Sequence, residues 1–288
     1  MNWEETIKFI RTQPEYTDLI EKAYFDKDLK LNIERFRNSQ EYKETLLLIR
    51  QFAPQAKSIL DIGSGNGISA ISFALDGYKI TVSEPDPSDT IGAGAIRKLI
   101  REYDIKDMEV HEEFAENINF SGKLFDLIYV RQAMHHAYDL NLFVKNLATL
   151  LKPGGCLLTI RDHVIFDEKD KEKFLEAHPL HKFYGGENAF TATQYRDALT
   201  GAGLHILKEL RYYDSVINYF PVTKEGLINE KKKLLSALKS ALKSKIGLLA
   251  DIPFVFNIYQ RKNRANWEKN ESSIPGRMYS YIAKKNNY

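Results

Sequence analysis

Five of the seven histidines fall into three short clusters: His135-His136, His163 beside Asp162, and the pair His178 and His181. Imidazole takes up and returns protons near neutral pH, and a carboxylate beside it fixes its orientation. A hydroxyl attacking an electrophilic carbon must lose its proton, and these residue types can remove it. His136 and His163 are therefore read as candidate general bases, with Asp162 orienting an imidazole. His135, His178, His181, Tyr184 and Glu187 form a polar and aromatic set suited to binding a polyhydroxylated small molecule. Taken with Asp162, the histidines also offer enough nitrogen and oxygen ligands for a divalent ion. Neither adjacent His135-His136 nor the pair His178 and His181 falls in a familiar metal motif, so no metal is assigned.

A second stretch supplies the electrophile. Ser58 to Ile62 is an apolar, β-branched run of strand length, followed by Gly63, Gly65 and Gly67, and then by apolar residues at helical spacing from Ile68 to Leu75. Such a strand, glycine turn and helix bring backbone close to a nucleotide-like ligand. The spacing is not that of a dinucleotide fingerprint, because Ile68 stands where the third glycine is needed. The Gly-Lys-Ser/Thr of a phosphate loop is absent. Asp61 would repel a pyrophosphate but can hold an ammonium group. Glu84 follows the strand Ile80–Ser83, about 20 residues past the loop, where a carboxylate accepts hydrogen bonds from two ribose hydroxyls. A cationic amino-acid tail on a ribose with both hydroxyls free describes S-adenosylmethionine.

With those residues in place, the chain resembles the class I S-adenosylmethionine-dependent methyltransferases, of the type 11-like group. The likeness rests on Leu60-Asp61-Ile62-Gly63-Ser64-Gly65-Asn66-Gly67, Glu84, Phe125-Asp126-Leu127-Ile128-Tyr129 and Leu151-Lys152-Pro153-Gly154-Gly155, in that order. It covers roughly Ser58 to Leu210. It implies an α/β fold: a Rossmann-like, seven-stranded, mostly parallel sheet with helices on both faces. It also implies cofactor contacts from Asp61, Gly63, Ser64, Gly65, Gly67, Glu84 and Pro85, with Arg131 joining them at the end of the fourth strand. Ala115 and its neighbours align with the segment that meets the adenine. The family commonly has an acid just before that alanine, where this chain has Phe114, so Glu113, Glu116 or a backbone group supplies the contact. The Asn/Asp-Pro-Pro-Tyr/Phe signature for methylating planar amino groups on bases is replaced by Arg131-Gln132-Ala133-Met134. The segment around Arg161-Asp162-His163, His178-Pro179-Leu180-His181 and Tyr184 to Asn188 resembles bacterial methyltransferases acting on sugars or surface-glycan precursors. The expected reaction is methylation of a hydroxyl on a sugar, sugar phosphate or nucleotide-linked glycan precursor. The rival readings are an RNA or protein methyltransferase and a non-catalytic module that binds the cofactor.

The elements that must hold these residues follow from periodicity and breakers. Residues 1–55 read as helices, which in the resembling family fold over the cofactor. Residues 56–215 read as the cofactor-binding core, with strands over Ser58–Ile62, Ile80–Ser83, Met108–His111, Leu124–Val130, Cys156–Ile160 and Leu204–Tyr213. Helices are expected over Ile91–Tyr103, Leu140–Leu151, Asp167–Ala177 and Gln194–Thr200, the last capped by Thr191. Lys152-Pro153-Gly154-Gly155 reads as a stop signal and turn. Residues 216–274 read as an insertion. Its helix places Leu227, Leu234, Leu235, Leu238, Leu242, Ile246 and Leu249 on one face and Lys231, Lys232, Lys233, Lys239, Lys243 and Lys245 on the other. Arg261, Lys262 and Arg264 add to that charge. The face could serve as a lid for an anionic substrate or as a peripheral contact with anionic lipid. Residues 275–288 carry the last core strand, Arg277–Lys284.

The remaining composition narrows the setting. A 288-residue chain with 43% hydrophobic residues and a formal charge of +2 is that of an ordinary globular protein. It carries no global basic signature, so no nucleic-acid partner is expected. The one cysteine, Cys156, lies in an apolar run and reads as a buried structural thiol. No signal peptide and no apolar run of membrane-spanning length is evident, so the expected location is cytoplasmic.

Overall fold

The computed structural model describes residues 1–120, 122–262 and 271–287. The strands are β1 (Ser58–Ile62), β2 (Lys79–Ser83), β3 (Glu109–His111), β4 (Phe125–Arg131), β5 (Leu151–Ile165), β6 (Phe190–Thr191), β7 (Leu204–Leu210) and β8 (Met278–Lys285). Their order across the sheet is β3-β2-β1-β4-β5-β8-β7, with the two-residue β6 pairing beside the end of β5. All neighbours from β3 to β5 run parallel, and β8 is antiparallel to both β5 and β7. The seven-stranded, mostly parallel sheet read from the sequence is therefore the main sheet, and β6 is an addition to it.

Burial explains which residues became strands. From Ile59 onward every residue of β1 is buried, and β4 is buried through Leu127 to Val130, as central parallel strands covered on both faces require. One face packs against the helices Leu140–Leu150 and Ala192–Gly201, through Phe143, Val144, Leu147, Tyr195 and Leu199. The other packs against Leu29–Asn38, Gln40–Phe52 and Ile68–Leu75, through Ile33, Phe36, Tyr42, Ile49, Ile71 and Phe73.

Several elements differ from the sequence reading; β7, for one, stops at Leu210, and Tyr212–Asp214 forms a 3₁₀ turn. The N-terminal segment contains a helix over Leu29–Asn38 that was not singled out; Asp28 caps it by accepting from Lys30 and Leu31. Lys152–Gly155 is taken into the edge of β5, with Gly154 at φ +73°, a left-handed conformation that favours glycine. β5 also runs on to Ile165, which buries Arg161, Asp162 and His163.

The insertion contains the helix Lys224–Ile246, a 3₁₀ segment Gly247–Asp251 and a helix Pro253–Lys262. Leu242 is buried, whereas Ile246 and Leu249, placed on the same packed face by periodicity, are exposed. Lys239 and Lys243 both pair with Asp251, at 3.1 and 2.9 Å. Arg264 lies outside the described residues. No helix among the described residues is long and apolar enough to cross a membrane.

Candidate functional site

The glycine turn sits at the carboxyl ends of β1 and β2, where open α/β sheets bind ligands. Gly63, Gly65 and Gly67 all have φ between +56° and +84°, a region costly for residues with a Cβ. Space decides two of them further. A Cβ on Gly63 would lie 2.5 Å from that of Ala133, and one on Gly67 would lie 2.9 Å from Ile96. Glu84 reaches back under the turn: its Oε2 accepts from the Gly65 N–H at 2.6 Å, and its Oε1 from the Asp86 N–H at 2.9 Å. Burial pushes its carboxyl up to about 8, although both N–H donors pull the other way. Asp61 is wholly buried. Its Oδ2 accepts from Ser64 and Ser69, at 2.7 and 2.6 Å, and its Oδ1 has no hydrogen-bond partner. Burial raises this carboxyl to about 6 against those hydroxyls. Pro85 continues from Glu84 into the turn that ends at Gly92. An unpaired buried carboxylate oxygen beside a left-handed glycine turn suits the amino-acid end of S-adenosylmethionine.

Ala115 is buried in the same apolar cluster as Ile62 at the end of β1. Of the two acids flanking it, Glu116 is already used: its Oε1 accepts from the Tyr138 N–H at 2.9 Å. Glu113 has a buried Oε2 with no partner.

The first residues of the chain meet the same crevice. Ile7 and Ile10 pack with Ile91 and Leu180, and Trp3 lies 4.8 Å, ring to ring, from Tyr184. Asn66 of the glycine turn donates to the Tyr24 carbonyl at 2.7 Å.

The histidines converge at the ends of β4 and β5. The His135 and His136 rings lie 4.2 Å apart, and those of His135 and His163 4.8 Å. His163 and His178 are 6.0 Å apart. Asp162 accepts from both the backbone N–H and Nδ1 of His135, each at 3.1 Å. His136 Nδ1 donates to the Gly186 carbonyl at 3.0 Å, and His163 Nδ1 to the Gly276 carbonyl at 2.9 Å. Glu187 lies between His135 and His178, with nitrogen–oxygen separations of 3.6 and 3.5 Å, and accepts from the Tyr184 hydroxyl. Burial disfavours charge on His135, but Asp162 and Glu187 outweigh it and raise its pKa to about 9. His163 shifts the opposite way, through burial and the neighbouring His135. His181 begins the short helix that ends at Tyr184, and its Nδ1 is buried without a partner.

A family model for a methyltransferase domain matches residues 33–209. The chain belongs to that family. Its cofactor is S-adenosyl-L-methionine. Among curated relatives, the uncharacterised methyltransferase YcgJ of Bacillus subtilis is 26% identical over 155 residues, half of this chain and 57% of that protein. A ubiquinone biosynthesis O-methyltransferase of Coxiella burnetii is 28% identical over 113 residues, 38% of this chain and 44% of the relative. The chain thus spans about half the length of the curated relatives it matches. Among solved structures, a Haemonchus contortus N-methyltransferase in complex with phosphomonomethylethanolamine and S-adenosylhomocysteine superposes with TM-score 0.54 at 18% identity. That match covers 98% of this chain and 60% of the other, and it shows the shared fold.

Two side chains of this methyltransferase sit differently from the sequence reading. Arg131, placed with the cofactor, turns to the N-terminal layer: its Nε and Nη2 donate to Glu41 at 2.6 and 3.2 Å, and it lies over the rings of Tyr24 and Phe36. Asp162 bonds to the imidazole of His135, which the sequence reading groups with the substrate, and not to His136 or His163. Glu41 itself was missed. Its signal was available, because Glu41, Tyr42, Thr45, Leu48 and Ile49 share one helical face and all five are buried. A carboxylate in that stripe has to meet a cation.

Proposed function

We propose that this methyltransferase moves a methyl group from S-adenosylmethionine to a hydroxyl of a small polar acceptor, such as a sugar, sugar phosphate or nucleotide-linked glycan precursor. One observation carries the reading. The space left by the missing side chain of Gly63 is filled by Ala133, and His135 and His136 follow directly on that segment. The cofactor turn and the histidine cluster are thereby two sides of one crevice. His136 is exposed, with Nδ1–H committed to a carbonyl, so its Nε2 carries the lone pair that accepts a proton.

In this reading Glu84 accepts from the ribose hydroxyls, the free oxygen of Asp61 faces the amino-acid end, and Glu113 replaces Glu116 at the adenine. Residues 1–55 cover the crevice. The acceptor oxygen attacks the methyl carbon as the carbon–sulfur bond breaks, its proton passes to imidazole, and S-adenosylhomocysteine leaves. The test is formation of S-adenosylhomocysteine with a panel of sugars, sugar phosphates and nucleotide sugars, in wild type, His136→Ala and His163→Ala. A hydroxyl acceptor whose turnover falls about 100-fold or more in His136→Ala supports the reading. Undiminished turnover in both variants removes the histidine base, and methylation of amines alone removes the hydroxyl acceptor.

A further inference from the structure

The histidine cluster has a feature that proton transfer does not require. Three of its imidazoles have Nδ1 tied down: His135 to Asp162, His136 to Gly186 and His163 to Gly276. Backbone carbonyls only accept, so His136 and His163 carry hydrogen on Nδ1 and present their other nitrogen as a donor atom. Glu187 is held in the same manner. Tyr184 donates to its Oε1, which also lies 3.5 Å from His178 Nε2, while its Oε2 is buried with no hydrogen-bond partner. One donor atom each from His135, His163 and Glu187 lies within 4.8 Å of the others.

We propose that His135, His163 and Glu187 form a binding site for one divalent first-row transition ion. Two imidazoles and one carboxylate suit Zn²⁺, Fe²⁺ or Co²⁺ better than Mg²⁺ or Ca²⁺, which favour all-oxygen shells. Bonds of about 2.0–2.2 Å place donors roughly 3–4 Å apart, so the widest pair closes by about 1 Å on binding. The surroundings match the second layer of such sites. Asp162 behind His135 and the Gly276 carbonyl behind His163 fix each ring so that its Nε2 faces inward. Gly276 has φ +67°, and a side chain there would lie 2.9 Å from Phe174, whose ring packs 4.5 Å from that of His163. Arg277 clamps the helix bearing Phe174 through Asp170 and the Val164 carbonyl. Glu187 Oε2, which has no hydrogen bond and lies 3.6 Å from His135 Nε2, becomes the anionic ligand, and the ion offsets the cost of its burial.

Three protein ligands leave coordination positions open, and an acceptor with adjacent hydroxyls could occupy them. Only that role rests on the hydroxyl-acceptor reading; the site itself does not. The experiment is titration of the full-length, chelator-stripped protein with Co²⁺ and with Zn²⁺, without cofactor or acceptor. Visible absorption of bound Co²⁺ and calorimetry of Zn²⁺ provide the readouts. The expected result is one ion per chain, with affinity falling at least tenfold in Glu187→Gln and in His163→Gln. The exposed His205→Ala variant should bind as wild type does. No saturable binding by folded wild type overturns the proposal, as does unchanged affinity in both site variants. X-ray absorption of the Zn²⁺-loaded wild type needs no variant: two imidazoles in the first shell support the site, and an all-oxygen shell refutes it. If the ion binds but its removal leaves methyl transfer intact, the site stands and its role in placing the acceptor falls.

Discussion

Glu41 holds Arg131 in a two-pronged ion pair across the boundary between the N-terminal helices and the sheet. The carboxylate is wholly buried, and Arg161, from the next strand, approaches its Oε1 to 3.7 Å. Two cations, one at the end of β4 and one within β5, thus share one anion from a helix far earlier in the chain. Both cations adjoin segments of the candidate site: Arg131 precedes the turn to His135, and Arg161 precedes Asp162-His163. The N-terminal layer therefore fixes the strand segments that carry the candidate site.

Glu41→Ala leaves Arg131 and Arg161 buried without a counter-ion, and breaking such a pair costs about 3–5 kcal/mol. Denaturant unfolding should show a loss of that size. The double variant Glu41→Met with Arg131→Met should lose less than Glu41→Ala, since no charge at position 131 is stranded. Equal or greater loss in the double variant would mean that packing, not charge, dominates at this boundary.

Glu84 gives a pH prediction with a definite sign. Its folded-state pKa is raised to about 8 by burial, so the ligand-free fold holds this proton more tightly than the unfolded chain does. That contribution to stability is present at low pH and is lost as pH rises through about 8. With the ribose placed on Glu84 as proposed, binding reverses the preference, because the hydroxyls need an acceptor and the ionised carboxylate is the better one. S-adenosylhomocysteine affinity should therefore rise from about pH 7 to about pH 9 in wild type and stay nearly flat in Glu84→Gln. Glu84→Ala should weaken binding by about tenfold or more at pH 8. A wild-type profile no steeper than that of Glu84→Gln would detach the carboxylate from the cofactor.

Much of this arrangement was legible in the chain. The β1 strand, the glycine turn and Glu84 were readable because parallel-strand burial and left-handed turns impose residue types locally. The partner of Arg131 was hidden for the opposite reason: Glu41 lies 90 residues away in sequence, and no local pattern declares which way a long side chain turns. The pairing of Asp162 with His135 was hidden similarly, since the register between β4 and the loop after it decides which of two adjacent imidazoles faces inward. Glu113 and Glu116 flank one 3₁₀ turn and could be separated only once Tyr138 was seen to use Glu116. The extent of β5 was underestimated because Gly154 and Gly155 signal a turn, although the chain there bends without leaving the sheet.

Asp162→Asn tests the positioning of His135. The amide keeps the size of the side chain but removes the charge behind Nδ1. Loss of a partner behind a functional imidazole costs about 10–100-fold in activity or metal affinity. Turnover should fall by that factor while S-adenosylhomocysteine affinity, which the proposed reading assigns to Glu84 and Asp61, changes less than about twofold. An equal loss of cofactor affinity would show that Asp162 acts by supporting the fold, not by orienting His135.

Asp126 ties β1 to β4 and β5 at the far end of the sheet from the site. Its Oδ2 accepts from the N–H groups of Lys57 and Ser58 and from the Ser58 hydroxyl, at 2.8 to 3.0 Å. Its Oδ1 accepts from Lys152 at 2.7 Å. Partial burial works against ionisation here, but Lys152 and these donors outweigh it and hold the carboxyl well below its usual range. With the folded-state pKa depressed, the stabilisation is present above the unfolded value near 4 and is lost as pH falls through the folded one. Asp126→Asn should cost about 1–2 kcal/mol at pH 7, discounted because the group and its lysine partner are partly solvated. The difference between variant and wild type should shrink steadily below about pH 4, where protonation makes the two side chains alike. A constant difference down to about pH 2 would mean that geometry alone, and not the carboxylate charge, joins these strands.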